Sequence, residues 1–291
     1  MPTGKALRLC PDLIVLPVRM EKYKQASAQV SEIFARYTDL IEPLSLDEAF
    51  LDVSDSPHFH GSATRIAEAI RASVLAEVGI TISAGVAPNK FLAKIASDWQ
   101  KPDGLTVIRP DQVEAFVATL PVEKLFGVGR VTAEKMHRLG LKTCSDLRVL
   151  GLVELNKKFG SFGVRLFELS RGVDERPVRN TRSRKSLSVE NTVSSDLESC
   201  LACEEVLLNM VDELRRRLAA QKRQRRVHKV FVKLRFNDFS RTTAECTAES
   251  VDQAALVDLL TTAWERKKLP VRLVGVGVRF RPDALEQLEL F

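Results

Sequence analysis

The chain has 291 residues, of which 45% are hydrophobic and 28% charged, a composition typical of a globular protein with more than one domain. Its formal net charge is +6, and no apolar run reaches the length of about 18 residues that a membrane span requires, which excludes a membrane-spanning class. Ten Lys or Arg residues and no Asp or Glu lie between Arg215 and Arg235. This cluster indicates either a solvated helix face with a linker or a surface that contacts phosphate groups.

The cysteines indicate a reducing compartment. They are odd in number and have no disulfide-like spacing: Cys10, Cys144, Cys200, Cys203 and Cys246. Cys200 and Cys203 form a CxxC inside a helix-like stretch without a second pair or a nearby His, which favours buried apolar thiols over a metal or redox site. Because the N-terminus also lacks the residue order of a signal peptide, we expect a cytoplasmic protein.

Residues 18–110 are predicted to form an α+β domain. A short helical stretch from Lys5 to Cys10 precedes it and is ended by Pro11. Helices are predicted at Glu21–Tyr37, Ser62–Glu77 and Lys90–Asp98, and strands at Ile41–Leu44, Ala49–Val53, Thr81–Val86 and Leu105–Ile108. The mixture of helices and strands indicates an α+β unit that ends near Pro110.

Residues 111–174 are predicted to be entirely helical. Glycines interrupt the pattern repeatedly, which indicates short helices joined by tight turns. Residues 175–185 are polar and lack an apolar period, so they are predicted to form a linker. Its arginines make it basic: Arg176, Arg179, Arg182 and Arg184.

Residues 186–281 are predicted to form an antiparallel sheet with helices on one face. The elements are strand Lys185–Glu190, helix Glu198–Ala220, strands Lys229–Phe236 and Thr242–Thr247, helix Asp252–Arg266 and strand Val271–Arg281. In the second strand, Val230, Val232 and Leu234 alternate with Lys229, Phe231 and Lys233. The open face is therefore expected to be flat and cationic, the alternative being an ordinary solvated face.

The first motif that can carry chemistry is Ser45-Leu46-Asp47-Glu48. Adjacent carboxylates on a regular strand point to opposite faces, but Asp47 and Glu48 fall at the junction of two predicted strands, where they can converge on one cation. A hard cation such as Mg²⁺ prefers carboxylate oxygens together with substrate phosphates. The alternative is a solvated acidic loop.

A second motif, Lys101-Pro102-Asp103-Gly104, follows the predicted helix Lys90–Asp98. Lys101 is well placed there to meet a triphosphate as a point charge. The alternative is a surface Lys in a type II turn, with Gly104 supplying a positive φ.

A third motif, residues 125–135 (LFGVGRVTAEK), has the helix-hairpin-helix pattern. Gly127 and Gly129 permit a tight turn, and free N–H groups at the start of the next helix, from Arg130 onward, can donate to a phosphate oxygen. Such a contact does not read base sequence. A plain helical hairpin is the alternative, and a looser second hairpin is predicted at residues 159–163.

The last motif is the terminal pentapeptide QLELF. Its apolar side chains close an otherwise polar tail, so they are predicted to enter a hydrophobic pocket of a partner protein. The candidate contact residues are Gln287, Leu288, Leu290 and Phe291.

In this order, the motifs resemble those of Y-family DNA polymerases of the bacterial DNA polymerase IV type. The resemblance covers essentially the whole chain, including residues 1–4 (MPTG), 84–87 (AGVA) and 94–98 (KIASD). It implies an α+β multidomain polymerase that copies damaged templates with low fidelity. The domains would be 1–17 a remnant of the fingers, 18–110 an incomplete palm built as an antiparallel sheet with helices, 111–174 an all-α thumb, 175–185 a basic linker, 186–281 an α+β little finger and 282–291 a clamp-binding tail.

The resemblance also implies roles for individual residues. Asp47 and Glu48 match the second and third carboxylates of a two-Mg²⁺ catalytic site, Ser45 the serine before them, and Lys101 the lysine that holds the triphosphate of the incoming deoxynucleotide. DNA contacts are expected from Gly127, Gly129, Arg130, Lys185, Lys229, Lys233, Arg235 and Arg279. The implied partners are primer–template DNA, deoxynucleoside triphosphates and, through the tail, the sliding clamp, with no membrane and a monomeric chain.

The start of the chain resembles an internal segment of the family. Met1-Pro2-Thr3-Gly4 corresponds to a position after the first palm strand, which bears another catalytic Asp, and after most of the fingers. We therefore expect weak catalysis from this chain, because two-metal transfer needs bridging carboxylates. The alternative function is a non-catalytic module that binds DNA and the sliding clamp.

Overall fold

The computed structural model describes residues 1–181, 183–221 and 225–282, and the chain divides into two compact units, residues 1–181 and 182–291. In the first unit the helices are α1 (Thr3–Leu9), α2 (Met20–Phe34), α3 (Ala63–Val78), α4 (Lys90–Trp99), α5 (Val113–Ala118), α6 (Arg130–Arg138), α7 (Cys144–Val149), α8 (Leu152–Phe159) and α9 (Phe162–Leu169). Its strands are β1 (Ile41–Pro43), β2 (Ala49–Leu51), β3 (Ala84–Val86) and β4 (Leu105–Val107).

Helices α2 and α3 bury a small apolar core. Ile66, Ile70 and Val74 lie four residues apart on α3 and face Ile33 of α2. The side chain of Ser62 caps the start of α3, and Gly79, at φ +76°, ends it in the left-handed conformation that favours glycine. Strands β1 and β2 form an antiparallel hairpin in which Ile41 pairs with Leu51 and Pro43 with Ala49.

Strands β3 and β4 form a separate pair and run parallel, unlike the antiparallel pairing predicted for this region. Helix α4 lies against them and buries Phe91, Leu92, Ile95 and Ala96. Gly85 permits this close approach, because a Cβ there would stand 2.1 Å from the carbonyl oxygen of Ala93. The same buried face of α4 joins the core of helices α5 to α9, so one apolar core extends from α4 to residue 169.

The first half of the predicted linker is bound to the first unit. The Asp174 carboxylate accepts the N–H of Phe91 at 3.1 Å, at the N-terminus of α4. Glu42 Oε2 accepts hydrogen bonds from Lys90 Nζ at 2.6 Å and from the Arg179 N–H at 2.9 Å, while Lys90 also donates to the Pro177 carbonyl. Residues 174–179 therefore differ from the unattached linker expected from the sequence, because their partners lie far away along the chain.

The second unit is a four-stranded antiparallel sheet covered by helices on one face, as predicted. Its elements are β5 (Ser186–Leu197), α10 (Cys200–Ala219), β6 (Val227–Phe236), β7 (Arg241–Thr247), α11 (Gln253–Glu265) and β8 (Val271–Phe280), and the strand order is β5-β8-β6-β7. Val230, Val232 and Leu234 are buried against the helices together with Val274 and Val276 of β8. Strand β5 is longer than predicted.

Over the described ranges, no helix combines the length and apolarity needed to cross a membrane.

Candidate functional site

The acidic motif forms the turn between β1 and β2, at the junction that the sequence predicted. The backbone N–H groups of Leu44 and Ser45 donate to the carbonyl oxygen of Glu48 at 2.8 and 3.3 Å, which closes the loop. The Ser45 hydroxyl donates to Asp47 Oδ1 at 2.5 Å. These bonds fix the turn and orient the Asp47 carboxylate before any cation or substrate binds.

Two lysines lie near this turn, Lys94 on helix α4 and Lys101 just after its end. Lys94 Nζ lies 2.8 Å from Glu48 Oε1, and Lys101 Nζ lies 2.6 Å from Asp98 Oδ1. The hydrogen bond and charge of Asp98, with smaller contributions from Glu48 and Asp47, raise the pKa of Lys101. Lys101 is therefore cationic at neutral pH and lies within electrostatic range of both carboxylates.

No role was predicted for Lys94 or Asp98 from the sequence. The spacing could have indicated them, because Lys94 and Asp98 are four residues apart on one helix face and Lys101 follows three residues later. The hydrogen bond from Lys101, strengthened by the charges of Lys94 and Lys124, lowers the pKa of Asp98. Asp98 thus holds the ammonium group of Lys101 in place.

The turn that follows differs from the alternative considered for it. The residue with a left-handed backbone is Asp103, at φ +50°, and not Gly104. Arg71 holds Asp103 through its carboxylate at 2.7 Å and its carbonyl oxygen at 2.6 Å. Gly104 is required for a different reason, since a Cβ there would lie 2.0 Å from the carbonyl oxygen of Gln100.

The donor atoms of the acidic turn suit Mg²⁺. Asp47 and Glu48 offer carboxylate oxygens on one exposed turn, and Mg²⁺ is commonly held by one or two carboxylates, with waters and substrate phosphates completing its shell. Within the part of the chain that the structure describes, no group of three or more Asp, Glu, His or Cys residues converges as a metal site. The turn therefore fits a site shared with a phosphate-bearing substrate.

The predicted helix-hairpin-helix has the geometry expected of a phosphate contact. Gly127 has φ +93°, and Gly129 caps helix α6 without a side-chain acceptor for the first N–H groups. Arg130, the first residue of the helix, is largely exposed, and its guanidinium lies 3.7 Å from Glu134. The Gly127 backbone also lies against the ring of Phe162, which joins this hairpin to the second glycine-rich turn.

We expect Gly129→Ala to weaken duplex binding without changing stability. Gly129 has φ −88° and open space at its Cβ position, so alanine fits the fold, but its methyl group would stand where a phosphate approaches. Loss of one hydrogen bond to a charged group predicts a roughly tenfold lower affinity, measured by fluorescence anisotropy on blunt duplex DNA.

Gly127→Ala is the contrasting variant in the same hairpin, because it is expected to change the stability of the fold. Its φ of +93° and a Phe162 ring atom 3.1 Å from the new Cβ predict a loss of about 1–2 kcal/mol of stability, seen as a lower melting temperature. Unchanged affinity in Gly129→Ala would remove the hairpin from the DNA contacts.

The open face of the sheet is less cationic than predicted. Lys229 and Arg279 both contact Glu245 at 2.7 Å, and Lys233 contacts Glu190 at 2.9 Å. The glutamates come from the neighbouring strands β7 and β5, whose register the sequence did not reveal. Arg235 has no acidic partner among the described residues, and Lys185 is exposed just before β5.

Glycines on β8 make these cross-strand contacts possible. Gly275 lies between Glu190 on one neighbouring strand and Lys233 on the other, so the two side chains meet above it. Gly277 leaves room for the Phe231 ring, whose nearest atom would be 2.5 Å from an added Cβ. The open face therefore carries positive and negative side chains in ion pairs. Arg235, near one end, has no acidic partner among the described residues.

Two sets of predicted residues remain, the cysteines and the clamp-binding candidates. Of the CxxC pair predicted to be buried, Cys203 is buried and Cys200 is only partly buried. Burial raises the pKa of the Cys203 thiol, and that of the buried Cys144, to about 12. The clamp-binding candidates Gln287, Leu288, Leu290 and Phe291 lie outside the described residues.

Three family models match the chain. Residues 1–98 match the impB/mucB/samB family, residues 123–174 the thumb domain of DNA polymerase iota, and residues 184–290 the C-terminal domain of the impB/mucB/samB family. DNA polymerase IV of Pseudomonas syringae pv. tomato is 56% identical over 100% of this chain and 83% of its own length. DNA polymerase IV of Ralstonia nicotianae is 55% identical over 96% of this chain and 78% of its own length.

Solved structures agree with these relatives. A Y-family DNA polymerase chimera superimposes with a TM-score of 0.86 at 30% identity and covers 96% of this chain and 82% of its own. An insertion ternary complex of the Dbh DNA polymerase gives a TM-score of 0.65 at 29% identity, with the same coverage of 96% and 82%. The chain belongs to the DNA polymerase IV family of Y-family DNA polymerases.

Proposed function

We propose that this chain is an error-prone, DNA-directed DNA polymerase that transfers nucleotides to a primer opposite damaged as well as intact template positions. The observation that supports it most is the hydrogen-bonded acidic turn, with Asp47 and Glu48 close to Lys94 of α4 and to Lys101 just after it. Its relatives carry the name DNA polymerase IV.

The residues would divide the chemistry between them. Asp47 and Glu48 would hold Mg²⁺, and Ser45 would keep the Asp47 carboxylate in orientation. When bound, two Mg²⁺ ions neutralise the charge that develops on the transferred phosphoryl group and align its attacking and leaving oxygens. Lys101 would leave Asp98 to bind the triphosphate of the incoming deoxynucleotide, since both partners are anionic and the exchange preserves a charge pair.

The DNA contacts would be spread over both units. Gly127, Gly129 and Arg130 would bind the duplex backbone through N–H groups and charge. In the second unit, Arg235 and Lys185 could contact a phosphate directly. The side chains of Lys229, Lys233 and Arg279 would first have to leave their glutamate partners to bind a phosphate.

We expect the affinity for duplex DNA to fall steeply with salt. Release of counterions from several phosphates predicts a loss of about 10³-fold between roughly 50 and 200 mM salt. Because Glu190 and Glu245 already form ion pairs with three of the basic groups, the salt dependence is expected to be shallower than the number of basic residues alone would give. Anisotropy titrations at several salt concentrations measure it, and salt-independent binding would contradict the proposed phosphate contacts.

A second candidate function is a non-catalytic module that binds DNA and the sliding clamp. It is supported by the uncapped N-terminus of helix α6 and by the terminal QLELF, whose apolar side chains suit a hydrophobic pocket on the clamp. Either function implies a monomer in the cytoplasm, with its cysteines reduced.

Primer extension separates the two functions. The full chain, Mg²⁺ and the four deoxynucleotides are incubated with a labelled primer on an intact template and on one with a single abasic site. Extension on both templates supports the polymerase, with a modest loss of rate at the abasic site. DNA binding without extension on either template would instead favour the non-catalytic module.

A further inference from the structure

The hairpin between β6 and β7 carries an unusual residue at its tip. The N–H of Phe239 donates to the Phe236 carbonyl at 2.9 Å, and the N–H of Phe236 donates to the Ser240 carbonyl at 3.0 Å. Phe239 is therefore the last residue of the turn 236–239, and its backbone is left-handed, at φ +64°. Glycine is the usual residue at this place in a three-residue hairpin loop, because a side chain there is strained.

The fold gains little from the Phe239 ring. The side chain is 64% exposed and does not belong to the core of the second unit. The tip is held by other groups, since Asp238 accepts hydrogen bonds from the Ser240 N–H at 2.8 Å, the Ser240 hydroxyl at 2.5 Å and Lys267 at 2.9 Å. An exposed aromatic ring in a strained conformation on a firmly held tip indicates a role outside the fold.

One cation lies over the ring, and two more pair at the base of the hairpin. The guanidinium of Arg272 lies 5.4 Å from the centre of the Phe239 ring. Arg235 and Arg241 face each other as the last strand pair before the turn, and neither forms an ion pair within the described ranges. Two like charges on opposite strands destabilise a hairpin, so their presence also favours an external anionic partner.

We propose that Phe239, Arg235, Arg241 and Arg272 form a contact for single-stranded DNA, in which the ring stacks on an unpaired base and the arginines meet the flanking phosphates. Aromatic rings combined with cations are the means by which proteins hold single strands without reading sequence. A hydrophobic pocket on a protein would accept the ring but would leave the arginines unpaired. The contact rests on the proposed function and refines it, because it names the unpaired template strand as a partner.

Phe239→Asn in the full chain tests the contact. Asparagine tolerates the left-handed backbone, so the melting temperature is expected to stay unchanged or to rise. Affinity is measured by anisotropy for a hairpin duplex with a 5′ single-stranded overhang and for the same duplex with a blunt end. Loss of one stacked base predicts roughly 5- to 150-fold weaker binding to the overhang DNA, with blunt-duplex affinity retained.

Two further variants complete the test. Phe239→Trp restores an aromatic face and is expected to restore overhang affinity. Phe59→Asn is the matched control, because Phe59 is also left-handed, at φ +50°, and 43% exposed, but it has no cation over its ring among the described residues. Its overhang affinity is expected to equal that of the wild type.

The outcomes separate this inference from the proposed function. Equal overhang affinities for the wild type and Phe239→Asn, with duplex binding and primer extension intact, would overturn the stacking contact alone. Equal losses on overhang and blunt DNA would overturn it as well. A wild-type chain that binds neither DNA would overturn both proposals.

Discussion

Replacing Asp174 with alanine is expected to destabilise the first unit by about 3 kcal/mol. The Asp174 side chain is fully buried and accepts hydrogen bonds from Arg165, from both sides of the Arg176 guanidinium and from the Phe91 N–H. Its removal leaves two arginines close together and a helix-terminal N–H without an acceptor. The loss corresponds to a shift of roughly 100-fold in the folding equilibrium.

The unfolding of the first unit can be measured separately from that of the second. The chain has two tryptophans, Trp99 in the first unit and Trp264 in the second. In a Trp264→Phe background, urea unfolding followed by tryptophan fluorescence reports the first unit. Asp111→Ala is the control, because that carboxylate forms an exposed pair with Arg109 and its loss is expected to change little. Similar midpoints for the two variants would contradict the buried network.

The Asp174 carboxylate also predicts that the stability of the first unit falls at acid pH. Burial alone would raise the pKa of Asp174, but hydrogen bonds from Arg176 and Arg165 outweigh it and lower the pKa to about 2. In the unfolded chain an Asp has a pKa of about 4. The stabilisation is therefore complete above about pH 4 and is lost as the pH falls towards 2, and Asp174→Asn should lack this part of the acid transition.

Replacing Asp47 with asparagine is expected to slow Mg²⁺-dependent nucleotide incorporation on the order of 10³-fold. The amide keeps the shape of the side chain and can still accept the Ser45 hydroxyl, but it removes one of the two charges that would hold the cation. Metal ions supply several kcal/mol of transition-state stabilisation, and about 1.4 kcal/mol corresponds to a tenfold change in rate.

DNA binding distinguishes this loss from misfolding. Because the proposed DNA contacts lie elsewhere, Asp47→Asn should bind primer–template DNA as tightly as the wild type. Asp55→Asn is the matched control, since Asp55 is an exposed carboxylate close in sequence and outside the turn. A near-normal rate for Asp47→Asn would remove the acidic turn from the chemistry.

Local patterns predicted much of this molecule. Alternation along β6 identified its buried face, and the strand junction placed Asp47 and Glu48 on a turn. Both features depend on residues near each other in sequence, where side-chain period and turn chemistry dominate. The overall order of elements in the second unit followed from the same periodicity.

Long-range contacts were not predictable in the same way. Asp174 meets the Phe91 N–H across 83 residues, and no local pattern indicates such a pairing. The direction of β3 and β4 also escaped the sequence, because strands of three residues carry too little pattern to tell parallel from antiparallel pairing. The ion pairs on the open sheet face were also not predictable, because they depend on the register of three strands. That register places Glu190 and Lys233 on either side of Gly275.

The left-handed backbone at Phe239 could not be predicted from the sequence for a different reason. Sequence reasoning assigns left-handed positions to Gly, Asn and Asp, so a phenylalanine there passes unnoticed until its φ is known. Local preference and local structure disagree at this position, and such disagreements concentrate at functional sites.

Single-turnover incorporation by the wild-type chain tests the central claim most directly. Excess protein is mixed with labelled primer–template, one deoxynucleotide at a time, with Mg²⁺ or with a chelator. The acidic turn and its lysines predict addition of the nucleotide complementary to the template, at a rate that rises with Mg²⁺ and vanishes with the chelator. Full binding of the DNA without any incorporation at saturating nucleotide and Mg²⁺ would contradict the claim.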